Sequence, residues 1–348
     1  MTFHLKTSKK IKFTLVCALS LSLLGAAATT TNASTHKKTA SSAARVAEDI
    51  KPVAASYGYF INEYTKNVKA NNTPATNPAT ALFDKTFLKY WSPANGGTKL
   101  NKTVLGENIN KSIQITNHRS KAETVRSFLT DRRDLRYNLI SGLGPYQAAF
   151  VKNADAQTDF HKYPSKPLPG SSPYSSMKWA SESSNLGKLV SLVDLAEGSD
   201  WSGSGTPKAY IQYTRPYRQS KQVSVNPALK YVMAAAPKND YDFPSGHTTA
   251  AFETGLTLGY ALPQRFQQLI TRSSEVGYDR VLAGRHSALA VMGGRILGTA
   301  ITGGVLNDPA NQSLIAQAYK EGQSKYLAKS SLKRRDDTFA NSQKNKKN

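Results

Sequence analysis

Apolar residues recur in this chain at helical rather than alternating spacing, and that periodicity limits the fold more than any other feature. In Asn185–Ala196 (NLGKLVSLVDLA), Leu186, Leu189, Val190 and Val193 fall on one face of a helix. Val125, Phe128, Leu129, Leu135, Leu139 and Ile140 repeat the spacing across Lys121–Asn153, where Gly142, Gly144 and Pro145 divide it into two helices. Further helices are predicted over Ala81–Trp91, Thr248–Tyr260, Pro263–Ser273, His286–Gly304 and Asp308–Ala328. Thr206 is placed as an N-cap, with Pro207 at the first helical position. Asn71–Thr80 and Asp155–Trp179, dense in Pro and small polar residues, read as loops. No convincing alternating strand and no internal repeat stands out. The expected fold class is therefore all-α, a single helical bundle with long polar loops over residues 57–328.

The two ends read differently. Lys6, Lys9, Lys10 and Lys12 precede an apolar run, Phe13–Leu24, and small residues follow it. This is the layout of a secretory signal over residues 1–33, with cleavage expected between Ala26 and Ala33. The apolar run is short for a span of about 20 residues. Residues 34–56, rich in Ser, Thr, Ala and Lys, read as a mobile leader, and residues 329–348 as a basic polar tail. Cys17, the chain's single cysteine, lies within the expected signal. A mature chain without cysteine excludes disulfides, thiolate catalysis and Cys-ligated metals, so its stability must come from the core. The expected location is secreted or cell-surface associated.

Charge narrows the partners. The 46 basic residues, less the four signal lysines, leave 42 against 23 acidic ones, a net of +19. Such a surface draws polyanions. For an exported protein these would be anionic cell-wall polymer, a membrane surface or phosphorylated solutes. A specific nucleic-acid partner is not expected, because the lysines are scattered without aromatic residues interleaved for base stacking.

Three short stretches carry chemistry. In KAYIQYTRP, Lys208 and Arg215 are seven residues apart, which on a continuous helix puts both cations on one face, with Pro216 ending the helix. In YDFPSGHTTA, Ser245 can cap the following helix and Gly246 lets backbone N–H groups approach an anion. The positive helix end faces the same point, with His247 in the first turn. In DRVLAGRHSALAVMGGR, Arg280 and His286 are separated by five residues, and Gly284 allows a turn between them. Each stretch alone also fits a solvated basic face or an ordinary helix start.

In order, K-x6-R-P, P-S-G-H and R-x5-H resemble the signature of the type 2 phosphatidic acid phosphatase (PAP2) superfamily, which includes bacterial class A acid phosphatases and vanadium haloperoxidases. TNPATALFD, DRRDLRYNLISGLGP, LGKLVSLVDL and RSSEVGYDRVLAGRHSALAVMGGRILGTA are similar to the large secreted phosphatases of that group, over about Tyr57–Val305. The resemblance implies hydrolysis of phosphate monoesters through a phosphohistidine. Lys208, Arg215 and Arg280 would hold the nonbridging oxygens, with Ser245 and the Gly246 N–H adding donors. His286 would be the nucleophile, and His247 the acid and then the base. No cofactor and no metal are implied. The same cradle would serve a non-catalytic phosphate-binding wall protein or a vanadate-dependent haloperoxidase.

Two residues depart from the family pattern. Alanine stands at position 290, four residues after His286, where an aspartate normally accepts the histidine's other N–H. A backbone carbonyl, a water or another carboxylate would have to hold the ring instead. On this reading the enzyme is impaired, and Ala290→Asp raises turnover and moves the acid limb of the pH–rate curve upward. Asp279 replaces the usual serine before Arg280, where it would pair with that arginine and weaken its hold on phosphate.

Overall fold

In the computed structural model, which describes residues 54–330, most of the chain is helical. The expected signal, all but the last three residues of the expected leader, and the tail beyond residue 330 lie outside the described residues. The helices are α1 (Ala54–Glu63), α2 (Pro78–Asp84), α3 (Lys102–Asn117), α4 (Lys121–Arg132), α5 (Gln147–Asn153), α6 (Gly187–Gly198), α7 (Gly205–Ile211), α8 (Pro216–Gln219), α9 (Lys230–Ala234), α10 (Gly246–Ala261), α11 (Phe266–Leu282), α12 (Ala288–Asn307) and α13 (Gln312–Gly322). Among the described residues, strand is limited to an antiparallel pair, Trp91–Ser92 against Thr98–Lys99. The all-α expectation holds.

Helix α10 is the axis of the bundle. It packs most extensively on α11 and α12 and also meets α6 and α13. Most of its residues are buried, from Thr248 to Ala261. A helix enclosed on so many sides needs small residues, and GHTTAAFETGLTLGYA supplies them. Its threonines turn their hydroxyls back onto the chain: Thr249 onto the Ser245 carbonyl and Thr257 onto the Glu253 carbonyl. Helix α12 lies against α10 at very close range. A Cβ on Gly294 would stand 2.6 Å from the Ser245 carbonyl oxygen, and one on Gly298 2.4 Å from that of Thr249. By length and apolarity α12 could cross a bilayer, but more than half of it is buried in the bundle.

Several local expectations shift. The segment 71–80 is not all loop, because Asn77 caps α2 through the Thr80 N–H and Pro78 is its first residue; α2 ends at Asp84, well short of Trp91. The break within 121–153 begins at Arg133, and a 3-10 stretch, Tyr137–Tyr146, carries the chain through Gly144 at φ 56°. The predicted helix at Pro263–Ser273 runs on to Leu282 as α11, after one 3-10 turn. Pro207 lies inside α7 rather than at its first position, and Ser204, not Thr206, flanks the helix.

An aromatic cluster brings the distant motifs together. Phe243 stacks on Phe87 with centroids 3.9 Å apart and meets Phe83 edge-on at 4.8 Å. Tyr213 packs edge-on against Phe87 and Trp91. Gly293 of α12 leaves room for the Phe243 ring, which a Cβ there would meet at 2.5 Å. The Asp242 N–H donates to the Tyr213 carbonyl at 2.6 Å. Phe243 is 3% exposed, so Phe243→Ala is expected to cost about 3–5 kcal/mol, read from urea unfolding.

Candidate active site

Helix α7 ends at Ile211, and Gln212 takes a left-handed conformation, φ 52°. Lys208 and Arg215 therefore do not share one continuous helix face, and Pro216 begins α8 rather than ending a helix. The reversal nevertheless brings them together. The partly buried Lys208 ammonium lies within electrostatic reach of Arg215, Asp240, Asp242 and Arg280. Burial, reinforced by Arg215, pushes its pKa down to about 7. Arg215 is buried and forked. Its Nη1 donates to the Arg285 carbonyl at 2.9 Å and to His286 Nε2 at 2.8 Å, while Nη2 pairs with Asp240.

The second stretch opens α10 as expected from its serine. Ser245 is the N-cap, and its Oγ accepts from the Thr248 N–H at 3.3 Å and the Thr248 hydroxyl at 2.9 Å. Both lone pairs are then used, which leaves the Ser245 O–H free to donate. The Gly246 and His247 N–H groups belong to the first turn, where a helix has no internal acceptors. His247 Nε2 lies 3.4 Å from the Asp131 carbonyl, and its ring is 5.9 Å from that of Tyr174. Burial and then Arg280 hold its pKa well below the usual imidazole value.

Arg280, in the last turn of α11, is 1% exposed. It does not pair with Asp279. That carboxylate accepts instead from Arg126 Nε and Thr130 Oγ1, each at 2.7 Å. Arg280 Nη1 donates to Asp131 at 2.6 Å, and Arg285 Nε donates to the same oxygen at 2.9 Å. Arg132 Nε donates to the other oxygen at 2.9 Å. Burial alone would raise the Asp131 pKa, but Arg285, Arg280 and Arg132 hold it well below the carboxylate range. Gly284, at φ 75°, makes the turn that lets the His286 N–H return to the Arg280 carbonyl at 3.2 Å.

His286 precedes α12, with Ser287 as its N-cap. The imidazole is held from both sides. Its Nδ1–H donates to Asp242 Oδ1 at 2.9 Å, and Nε2 accepts from Arg215. Asp242 is itself fixed by the Ser287 N–H at 3.2 Å and the Ser287 hydroxyl at 2.6 Å. The carboxylate missing at position 290 is thus present at position 242, within the YDFPSGH stretch. Buried Ala290 contributes a carbonyl that accepts the Ser245 N–H at 2.9 Å. Burial, and next Arg215, lowers the His286 pKa well below the usual value. Burial pushes Asp242 up to about 6.

Sequence reasoning did not single out Asp242, Asp131, Asp240, Arg132 or Arg285. Two signals pointed to three of them: an aspartate five residues before His247, which is Asp242, and the dense charge run DRRDLR, which holds Asp131 and Arg132, at the end of an otherwise ordinary helix. Together with Lys208, Arg215 and Arg280, the site holds five cationic side chains against three carboxylates, a surplus of two positive charges. Arg280 Nε and Arg132 Nη2 are buried donors without a hydrogen-bond partner among the described residues. A cleft of about 510 Å³ opens beside His247 and Gly246, bounded by Tyr174, Ser204 and Glu253. An apolar groove of about 600 Å³ lies at the other end of α10, and no charged side chain lines it.

Residues 196–313 match the sequence profile of the PAP2 superfamily. Non-specific acid phosphatases of Salmonella typhi and Salmonella typhimurium are each 28% identical over 130 residues, which is 37% of this chain and 50% of the relative. The chain spans about half the length of these curated relatives. Six of the site's eight charged side chains and its two imidazoles sit inside the matched segment, while Asp131 and Arg132 come from outside it. Residues 196–313 are therefore similar in sequence to the PAP2 superfamily, and 130 residues of the chain are similar to non-specific acid phosphatases.

Proposed function

We propose that the chain is an exported phosphatase that hydrolyses phosphate monoesters through a phosphohistidine on His286. The observation that carries this reading is the pair of contacts on the His286 ring, Asp242 at Nδ1 and Arg215 at Nε2. With Nδ1–H held by Asp242, the Nε2 lone pair is left among cations that exceed the local carboxylates by two. That surplus equals the charge of a phosphate monoester dianion, and the two unpartnered guanidinium donors would find acceptors on it.

In the proposed reaction Arg215 leaves Nε2 and joins Lys208 and Arg280 on the nonbridging oxygens. Nε2 attacks phosphorus, and the P–O bond to the leaving group breaks. His247 protonates the departing oxygen. Burial and Arg280 favour the neutral form of this imidazole, and a seated dianion favours its charged form. Water then attacks phosphorus and gives a proton to His247, a P–O bond forms as the P–Nε2 bond breaks, and phosphate and free His286 are released. Once Arg215 has moved onto the phosphate, the gathered cations stabilise the equatorial charge of the transition state. Ala290 favours a non-catalytic reading, and the contact of Asp242 with His286 supports the catalytic one instead.

Phosphate release from an aryl phosphate by the full chain tests the proposal, and no release at any pH between 5 and 8 sinks it. The pH profile tests the role of Lys208. Its pKa of about 7 means that the free enzyme loses a cation as pH rises through 7. The value of kcat/KM is expected to fall on that limb. Lys208→Arg, with a guanidinium charged throughout, should move the limb upward by at least about one pH unit. An unmoved limb would remove Lys208 from the phosphate cradle.

A further inference from the structure

The cleft beside His247 follows α10 along its length. Gly246, His247, Thr249, Ala250 and Glu253 all line it, so one wall is a single helix face. Glu253 comes six residues after His247, about 9 Å farther along the axis. It is 1% exposed, and its Oε1 has no hydrogen-bond partner among the described residues. None of the steps proposed above uses it. A buried carboxyl oxygen left without a donor carries a desolvation penalty that a ligand donor would remove.

Acidic side chains outnumber basic ones around Glu253, the reverse of the phosphate cradle. Arg133, Asp134, Glu197 and Glu253 line the cleft. Arg136 joins Asp134, Asp194 and Glu197 at 2.9, 3.1 and 3.2 Å. Four acids here face two arginines, whereas the cradle has two cations in excess. Burial, with Glu197 nearby, holds the Glu253 carboxyl well above its usual pKa, and burial raises Glu197 as well. Burial thus favours the protonated form of both carboxyls, and a cation seated beside them would favour the charged form.

We infer that this cleft is a leaving-group subsite for an ammonium head, and that the substrates are phosphate monoesters of amino alcohols. The inference rests on the phosphatase reading above. Phosphate occupies the cationic cradle, the ester oxygen lies at His247, and the ammonium group reaches Glu253 and Glu197. A neutral hydroxyl head would bond to Glu253 without offsetting the excess acid. The Glu253 side chain leans back toward the start of α10, which shortens the gap and suits a chain of about three to six carbons.

The test is a set of ω-aminoalkyl, ω-hydroxyalkyl and plain alkyl phosphates of two to eight carbons, with an aryl phosphate as reference. The full chain is expected to favour aminoalkyl over alkyl esters of equal length by at least about tenfold in kcat/KM, with the best length near the middle of the series. Glu253→Gln, nearly the same shape, should reduce that preference to about twofold or less. Equal rates for amino and alkyl esters, or a preference for hydroxyalkyl esters, overturn the subsite. A preference that survives Glu253→Gln removes Glu253 from it. If the variant fails to fold by circular dichroism, the wild-type comparison decides alone. Absence of release from every ester, the aryl phosphate included, overturns the phosphatase reading instead.

Discussion

His286→Ala lowers phosphate release from an aryl phosphate by at least about 10⁵-fold, the scale seen when a covalent nucleophile is deleted. The variant keeps Lys208, Arg215, Arg280 and Arg285, so inorganic phosphate should still raise its melting temperature. Loss of turnover with retained phosphate binding separates a missing nucleophile from a collapsed site. Acid–base quenching of the wild type during turnover provides the complementary measurement. A phosphoramidate on Nε2 is labile in acid and stable in base, the reverse of a phosphoserine. Turnover by His286→Ala within tenfold of wild type would rule out the phosphohistidine route.

Asp242→Ala is expected to lower kcat by about 10³–10⁴-fold, or about 4–5.5 kcal/mol, by analogy with loss of the orienting carboxylate in serine proteases. The substitution leaves the Nδ1–H without its acceptor, and Ser287 loses the partner of both its N–H and its hydroxyl. The ring is then free to turn, and its other tautomer presents a protonated Nε2 that cannot attack. A merely structural role would give the same loss of stability, so the swap is decisive. Ala290→Asp in the Asp242→Ala background puts a carboxylate one turn into α12 and should recover at least about tenfold in kcat. In the wild type, Ala290→Asp should bring no gain. It adds a second buried carboxylate beside one whose pKa burial already raises to about 6, and like charges there resist ionisation. This reverses the gain expected from the alanine alone. Asp242 should also set the acid limb: kcat falls as pH drops below about 6, because the carboxylate takes up a proton and the imidazole keeps only a neutral acceptor. Faster turnover of Ala290→Asp in the wild-type background would show that Asp242 does not do this work.

Much of the architecture was legible because helices are local. The buried face of Leu189, Val190 and Val193 in α6 follows directly from residue spacing. Ser245 at the start of α10 was readable for the same reason, since a cap acts on the N–H three residues away. Local reasoning failed where a short segment met a stronger tertiary demand. Lys208 and Arg215 were assigned to one helix face, but Gln212 turns left-handed and the chain reverses between them. Asn77–Pro78 was read as loop punctuation, yet it is a capped helix start, because the same residues serve both purposes. Asp279 was paired with its sequence neighbour Arg280, but adjacent residues on a helix do not face each other, and Asp279 meets Arg126 and Thr130 of α4.

Sequence by itself determined the fold class and the side-chain types that could bind a tetrahedral anion: apolar spacing, helix caps and basic residues all act within a turn or two. Which carboxylate holds which base was decided only by the tertiary structure. Asp242 reaches His286 across 44 residues, and Asp131 reaches Arg280 and Arg285 across about 150. Those pairings exist because Phe243 is locked into an aromatic cluster and the glycines of α12 let two backbones approach within van der Waals distance. Neither condition leaves a periodic trace along the chain. Burial then gives each pairing its strength, by removing the water that would otherwise compete for every charge.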